Sequence, residues 1–246
     1  MINLTGKKAL VTGGSRGIGA AIALALAENG ADVAITFQHS VDRAQAVVKS
    51  IEQFGRRGVA IKADSADPVA IRQSVEEAVG VLGGLDILVN NAGIARFNSI
   101  ADFSVEDIDA LLAVNVRGPV LATQAAIPHL QAGGRVITIG SAGADRIVGS
   151  PGTVYYMTKS ALQSFTRGLA QELGPKDITA NLVQPGSTDT EMNPANGESA
   201  DFQRNLTPLG RFASPADIAA AVAFLASPAA RHLTGTIVTV DGGQLT

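Results

Sequence analysis

Short runs of β-branched and aliphatic residues alternate along the chain with longer stretches in which apolar positions recur every three or four residues. The short runs are continuous in apolar character, which is typical of parallel strands buried on both faces. Seven such strands are predicted, at Ala9–Thr12, Val33–Thr36, Val59–Lys62, Ile87–Asn90, Val136–Ile139, Thr179–Val183 and Ile237–Val240. The stretches between them are long enough to form helices that connect one strand to the next.

Glycines and capping side chains indicate where these helices begin and end. Gly30 ends the apolar pattern of residues 18–29, and Ser40 precedes the pattern of residues 41–54 as a candidate N-cap. Three further helices are expected to begin at a capping side chain, namely Asp67 before Pro68, Ser104 with Asp107, and Ser214 before Pro215.

Strands that alternate with helices predict an α/β fold with a single doubly wound parallel sheet, Rossmann-like, and helices on both faces. One domain over residues 1–246 accommodates the pattern. Such sheets bind ligands at the carboxyl ends of their strands. The one long irregular stretch, about residues 186–213, follows a strand and is interpreted as a substrate loop, with a plain surface loop as the alternative.

Composition excludes several classes of partner. The net charge is −3 with both signs interspersed, so neither nucleic acid nor a membrane surface is an expected partner. The chain has no cysteine, and its three histidines, at positions 39, 129 and 232, lack metal-ligand spacing, so no metal is expected. The start of the chain lacks the pattern of a signal peptide, and no apolar segment is expected to span a bilayer, so a cytoplasmic location is predicted.

The first strand leads into a glycine-rich segment, Thr12–Gly19, followed by an alanine-rich helix. Glycines allow a sharp turn and a close approach of phosphates, and the helix N-terminus offers unpaired N–H groups to an anion. The segment therefore predicts a pyrophosphate site; a tight turn without a ligand is the alternative. Its candidate contacts are Gly13, Ser15, Arg16, Gly17, Ile18 and Gly19.

The end of the second strand, Phe37, Gln38, His39 and Ser40, lacks the carboxylate that usually holds the ribose hydroxyls of NAD. Arg16 is available to pair with a 2′-phosphate, so NADP (NADPH) is favoured, with NAD left open. The alternative interpretation is that Arg16 is a solvated loop charge.

Two further strand ends carry small or polar residues at the same edge. Asp64 and Ser65 follow the third strand, where Asp64 either hydrogen-bonds an adenine or caps a turn. Asn91, Ala92 and Gly93 follow the fourth strand, a cluster that elsewhere usually marks a turn.

Tyr155 and Lys159 are spaced four residues apart, which places them on one face of a helix. A neighbouring ammonium favours phenolate, so Lys159 is expected to lower the pKa of Tyr155 and make it a usable acid and base. Ser141 follows the fifth strand, where its hydroxyl can stabilise charge on a carbonyl oxygen. Chance spacing of Tyr and Lys and a turn serine are the alternatives.

Together these segments resemble the short-chain dehydrogenase/reductase family over essentially the whole chain. The matching motifs, in order, are Thr12–Gly19, Asn90–Gly93, Asn115, Ser141, Tyr155 with Lys159, Pro185-Gly186 and Asp241-Gly242-Gly243. The resemblance implies a catalytic tetrad of Asn115, Ser141, Tyr155 and Lys159, with Tyr155 as general acid/base and Lys159 also holding the nicotinamide ribose.

The resemblance further implies cofactor contacts by Ile18 to phosphate, by Asp64 to adenine and by residues 91–93 to the adenosine side. Pro185, Gly186 and Thr188 would lie near the carboxamide. The segment 208–212 resembles the 3-oxoacyl-carrier-protein reductase branch. Gly140, Tyr156 and Met157 depart from residues common in that branch, so the resemblance leaves the substrate open.

The expected activity is reversible reduction of a ketone, a 3-oxoacyl or other small carbonyl compound, to a secondary alcohol by hydride transfer from NADPH. Two alternatives remain open, an NAD-linked alcohol or sugar dehydrogenase and a non-catalytic nucleotide-binding regulatory protein on the same fold. The resemblance also implies a homotetramer that acts on a small-molecule carbonyl or alcohol substrate.

Overall fold

All seven predicted strands form, and each pairs in parallel with its neighbours in one sheet of order β3-β2-β1-β4-β5-β6-β7. The computed structural model describes residues 2–147 and 151–246, so Met1 and residues 148–150 of the predicted domain lie outside the described residues. The strands are β1 (Lys8–Val11), β2 (Asp32–Phe37), β3 (Gly58–Lys62), β4 (Ile87–Asn90), β5 (Arg135–Ile139), β6 (Thr179–Pro185) and β7 (Ile237–Val240).

Helices cover both faces of the sheet. They are α1 (Gly17–Glu28), α2 (Val41–Gln53), α3 (Pro68–Leu82), α4 (Val105–Leu112), α5 (Gly118–Ala126), α6 (Thr153–Leu173), α7 (Ala200–Asn205) and α8 (Pro215–Ala226). Buried aliphatic side chains of α1, α2 and α8 form one core layer against the sheet. Those of α3, α5 and α6 form the other. The predicted fold class is confirmed.

The strand order reverses between β1 and β4, because the chain winds outward from β1 to β3 and then returns to the other side of β1. The two connections at this point leave in opposite directions, which opens a crevice at the carboxyl ends of the strands. The amide of Thr12, just after β1, donates to the carbonyl of Val89 in β4 at 3.0 Å. The glycine-rich segment therefore begins at the reversal point.

Three of the four predicted N-caps are confirmed. The side chains of Asp67, Ser104 and Ser214 each accept a hydrogen bond from a backbone amide in the first turn of α3, α4 and α8. The prediction for Ser40 is wrong, because its side chain makes no capping bond to α2. Its backbone angles, φ −93° and ψ 80°, differ from the extended conformation that aims an N-cap hydroxyl at the amides of the first turn.

The stretch 186–213 is more ordered than the sequence indicated. It contains the short helix α7, and its two ends pair where Thr188 forms an isolated parallel bridge with Ala213. The amide of Asp189 donates to the carbonyl of Ala213 at 2.9 Å. The prediction of one irregular stretch is thus wrong in part. Proline, asparagine and serine residues favour turns, but here they flank a short helix.

One helical run in the described residues, Val105–His129, is long and apolar enough to cross a bilayer by length and composition, contrary to the expectation from the sequence. Its α5 section packs against α3 in the second core layer. The run has a mean hydropathy of 1.3 in its most apolar window, of which 39% is buried within the domain. Apolar core helices of globular domains have the same character.

Helix α1 lies unusually close to the residues that follow β4. A Cβ atom at Gly19 would lie 2.4 Å from both the Asn91 side-chain nitrogen and the Gly13 carbonyl oxygen. The Gly13 backbone and the Asn91 side-chain amide thus pack so closely against Gly19 that only the hydrogen atom of glycine fits there. The asparagine amide in turn donates to the carbonyls of Thr12 and Gly13, at 2.9 and 3.1 Å.

We expect Gly19→Ala to lower the free energy of unfolding by about 2 kcal/mol, because the added methyl group overpacks this contact. Gly80→Ala is the matched control, since Gly80 lies in α3 with nothing within 4 Å of an added Cβ. That substitution should raise stability by about 0.5–1 kcal/mol through helix propensity. Urea unfolding followed by circular dichroism measures both, and equal effects would contradict the packing argument.

Candidate active site

A cleft of about 1020 Å³ follows the carboxyl edge of the sheet from β3 to β6. Every site residue predicted from the sequence lines this cleft except Asn115. The lining residues among them are Gly13, Ser15, Arg16, Gly17, Ile18, Gly19, Phe37, His39, Ser40, Asp64, Ser65, Asn91, Ala92, Gly93, Ser141, Tyr155, Lys159, Pro185, Gly186 and Thr188. The structure brings the residues together, and their individual roles stay predictions.

The glycine-rich segment presents the N-terminus of α1 to the cleft. Among the described residues no side chain caps this helix, and its first turn carries no carboxylate. Gly13 has φ +65°, and a Cβ there would lie 3.0 Å from the Ala92 Cα, so the segment needs glycine to turn inside the cleft wall. Open amides and absent side chains fit the diphosphate of a dinucleotide.

The ends of β2 and β3 form the wall beside this segment. Phe37, His39 and Ser40 line it without a carboxylate, as the sequence indicated. The Asp64 carboxylate lines the cleft and also accepts from the Ala66 amide at 2.8 Å. The turn-cap interpretation of Asp64 is confirmed, and its hydrogen bond to an adenine stays a prediction.

Arg16 is neither free nor merely solvated. Its guanidinium donates to the Glu191 carboxylate at 2.8 Å, and the other oxygen of Glu191 accepts from Arg43 at 2.5 Å. All three side chains are about half-exposed. These two hydrogen bonds to arginine are the main reason that the pKa of Glu191 lies below its usual value. Sequence reasoning missed Arg43 and Glu191, because their pairing joins segments 148 residues apart.

Asn115 lies behind the cleft wall in a π-helical turn, Ala113–Arg117, which interrupts the run from α4 to α5. Its side-chain oxygen accepts from the Ile94 amide at 2.9 Å, and its nitrogen donates to the Ile94 carbonyl at 2.9 Å and to the Thr158 hydroxyl at 3.1 Å. The widened turn directs a buried amide at a neighbouring backbone. Asn115 thereby ties the segment after β4 to α6.

Helix α6 carries Tyr155 and Lys159 on the face that lines the cleft. The Lys159 ammonium is buried and donates to the carbonyl of Ile139, the last residue of β5, at 3.1 Å. Ser141 follows β5 and also lines the cleft, and its hydroxyl accepts from the Gly143 amide at 3.2 Å. The predicted placement of the two side chains on one helix face is confirmed.

The prediction that Lys159 lowers the pKa of Tyr155 is wrong. Burial raises the pKa of Tyr155 to about 12, opposed by a hydrogen bond with Ser141. Burial also lowers the pKa of Lys159 to about 8. The lysine is not among the groups that shift the tyrosine. Desolvation of both groups outweighs their mutual attraction, because each loses water and the ammonium is directed at a carbonyl.

An aromatic and aliphatic wall on the far side of the cleft was not predicted. The Phe97 ring lies 5.4 Å from that of Tyr155, and the Tyr156 ring lies 5.3 Å from it. The substrate loop adds Met192 and Phe202, both about half-exposed. With eight phenylalanines and two tyrosines in the chain, the scarcity of aromatics was the one sequence signal that could have singled these residues out.

We expect the stability of the wild type relative to Lys159→Met to rise by about 2 kcal/mol between about pH 7.5 and pH 9.5. Over this range the unfolded lysine keeps a proton that the folded one, with its pKa near 8, loses. The unfolded state therefore binds more protons, so the folded state gains stability as pH rises. Tyr155, whose pKa is raised, counteracts this only above about pH 10.

Unfolding free energies of the two proteins across this range provide the measurement. Lys49→Met removes a lysine from the exposed face of α2 and is the matched control. A rise of the same size in both comparisons would contradict the assignment to Lys159.

Comparisons with known proteins identify the family of the chain. The family model described as enoyl-(acyl carrier protein) reductase matches residues 13–244. The crystal structure of a short chain dehydrogenase from Burkholderia cenocepacia J2315 in complex with NADP superposes with a TM-score of 0.98 at 54% identity, over 99% of this chain and 100% of that chain.

Of two similar proteins, one is named as a reductase and the other as a nucleotide-binding protein. Versicolorin reductase 1 of Aspergillus parasiticus is 41% identical, over 98% of this chain and 97% of its own length. The cyclic-di-GMP-binding biofilm dispersal mediator protein of Escherichia coli K12 is 42% identical, over 97% of each chain. The chain thus belongs to the short-chain dehydrogenase/reductase family of NAD(P)-dependent oxidoreductases, in its oxoacyl/enoyl reductase-like branch.

Proposed function

We propose that this protein is an NADPH-dependent reductase that converts a ketone to a secondary alcohol with Tyr155 as the general acid. The observation that carries the proposal is the convergence of Ser141, Tyr155 and Lys159 on the cleft that the glycine-rich segment opens. A solved relative with 54% identity is in complex with NADP. One side of the cleft therefore suits a dinucleotide and the other suits proton transfer.

The cofactor would lie with its diphosphate at the uncapped N-terminus of α1 and its adenosine along β2 and β3. The lack of a carboxylate at residues 37–40 and the presence of Arg16 and Arg43 favour NADP over NAD. When bound, NADPH supplies the hydride that reduces the carbonyl carbon.

Tyr155 supplies the proton. As negative charge develops on the substrate oxygen, the Tyr155 hydroxyl donates its proton to that oxygen and becomes a phenolate. The Ser141 hydroxyl donates a second hydrogen bond to the oxygen. The buried Lys159 ammonium then stabilises the phenolate until it regains a proton, with Asn115 supporting a water-linked relay from solvent.

Burial raises the pKa of Tyr155 to about 12, so the phenol is protonated at neutral pH and able to donate. The choice of the reductase over the NAD-linked alcohol or sugar dehydrogenase rests on the missing carboxylate at residues 37–40 and on the two arginines.

The aromatic wall indicates the substrate class. Phe97, Tyr156, Met192 and Phe202 present an apolar surface to the space in front of Tyr155. We infer a ketone with an apolar or aromatic substituent as the substrate class. A hydrophobic surface of this kind discriminates among related substrates by only about 1–3 kcal/mol.

A nucleotide-binding regulatory role is the second candidate, favoured by the 42% identity to the cyclic-di-GMP-binding relative. The convergence of Ser141, Tyr155 and Lys159 on one cleft favours catalysis, since a pure binder has no use for a buried lysine on the same helix face as a tyrosine. Binding of cyclic di-GMP without turnover of any carbonyl substrate would favour the regulatory role.

We further infer a cytoplasmic homotetramer, assembled through α4–α5, α6 and β7. Exposed apolar side chains on the first of these surfaces, Val105, Leu112 and Val120, support burial against another copy. We expect multi-angle light scattering to give four times the 25.1 kDa chain mass, whereas a monomer at micromolar concentration would contradict the assembly.

We expect Tyr155→Phe to lower kcat at least about 100-fold, because it removes the proton donor. The affinity for NADPH should stay near normal, since the ring and its packing remain. Loss of NADPH absorbance with a panel of aromatic and aliphatic ketones and an acyl thioester measures turnover, and quenching or fluorescence titration measures binding.

Tyr156→Phe is the matched control, because it removes the hydroxyl of the next tyrosine on α6. This variant should keep activity within a few-fold of the wild type. Full turnover by Tyr155→Phe would reject the assignment, and higher turnover with NADH than with NADPH would reject the cofactor preference.

A further inference from the structure

The segment that follows β6 crosses back over the glycine-rich segment. The Thr190 methyl carbon lies 3.6 Å from the position a Cβ would take at Gly17, at the start of α1. The backbone of Thr190 and Asn193 forms an isolated antiparallel bridge, so the residues between them are at the tip of a tight turn. Glu191 is at this tip and lines the cleft together with Arg16 and Gly17.

The Glu191 carboxylate is held between two guanidinium groups from different elements. One oxygen accepts from Arg16, just before α1, at 2.8 Å, and the other from Arg43, in the first turn of α2, at 2.5 Å. A carboxylate with one arginine on each oxygen resembles a phosphate in charge and in hydrogen-bond geometry. The two arginines thus already form an anion site.

The location of this anion site matches one part of the proposed cofactor. In sheets of this topology the 2′-position of the adenosine ribose lies at the end of the second strand, where a nearby arginine accommodates a 2′-phosphate. Arg16 and Arg43 flank that end of β2. A phosphate there would carry up to two negative charges within hydrogen-bond distance of nitrogens that now serve Glu191.

We propose that Glu191 competes with the 2′-phosphate of NADP for the anion site formed by Arg16 and Arg43, so that cofactor binding displaces the carboxylate and releases the tip of the substrate loop. This inference rests on the proposed use of NADP. Glu191 is then a specificity-determining residue that opposes binding of the 2′-phosphate. It also couples the adenosine end of the cleft to the loop that borders the substrate.

The expected effect is modest because the ion pairs are half-exposed. Each such pair in water contributes only a factor of a few to an equilibrium. Without the Glu191 carboxylate, the two ion pairs and the repulsion between that carboxylate and a phosphate are both lost. The affinity for a nucleotide with a 2′-phosphate should therefore rise roughly threefold to tenfold.

The test compares two nucleotides that differ only in the 2′-phosphate, adenosine 2′,5′-bisphosphate and adenosine 5′-monophosphate, by isothermal titration calorimetry. Glu191→Gln should bind the bisphosphate roughly threefold to tenfold more tightly than the wild type does. Its affinity for the monophosphate should change less than about twofold. Glu198→Gln is the matched control, since Glu198 is an exposed carboxylate of the same loop that also lines the cleft. It should behave as the wild type.

An unchanged or weaker affinity of Glu191→Gln for the bisphosphate would overturn the proposal, as would an equal gain for both nucleotides. If the wild type prefers the bisphosphate and Glu191→Gln has the same affinities, this inference is overturned and NADP stays the proposed cofactor. No preference for the bisphosphate in either protein would overturn both.

Amide hydrogen exchange over residues 187–193 tests the release of the loop. In the wild type we expect faster exchange at the loop tip with saturating bisphosphate than with saturating monophosphate. In Glu191→Gln the two nucleotides should give the same rate. Equal rates in the wild type would show that the carboxylate does not hold the loop.

Discussion

The close contact between the glycine-rich segment and the residues after β4 is the constraint on which the site depends. Gly19 leaves room for the Asn91 amide, and that amide fixes the carbonyls of Thr12 and Gly13. The contact keeps the two segments at the reversal of strand order close together while their chains leave in opposite directions. Because α1 begins there, its uncapped amides point into the crevice, and an anion-binding helix end becomes part of the cleft.

A second chain of contacts fixes the catalytic side. Asn115 reaches from a π-helical turn to both backbone groups of Ile94 and to Thr158 on α6, so the segment after β4 and the helix of Tyr155 are joined through one buried amide. Lys159 is joined to β5 through the Ile139 carbonyl. Burial that fixes these groups also removes their water, which explains why the pKa of Tyr155 rises and that of Lys159 falls.

The fold could be predicted from the sequence because continuous apolar runs and helical periodicity act within short segments. Strands such as Ile87–Asn90 and caps such as Ser214 depend on neighbouring residues alone. The composition of the site could be predicted from motifs at strand ends and from the spacing of residues on α6. These signals identified Ser141, Tyr155 and Lys159, which the structure brings to one cleft. Electrostatics could not be predicted, since spacing shows that Lys159 and Tyr155 share a face but not how much water each loses. The pairing of Arg16 with Glu191 depends on the path of a loop that is distant in sequence.

The path of the loop after β6 shows how one cleft can recognise the cofactor and the substrate separately. The dinucleotide side presents backbone amides and arginines, whereas the substrate side presents aromatic rings and Met192. The loop after β6 contributes to both, because Glu191 and Met192 are adjacent at its tip. Movement of Glu191 away from the arginines would therefore move an apolar side chain that lines the substrate space. The state of the adenosine end is in this way coupled to the shape of the pocket in front of Tyr155 by two neighbouring residues.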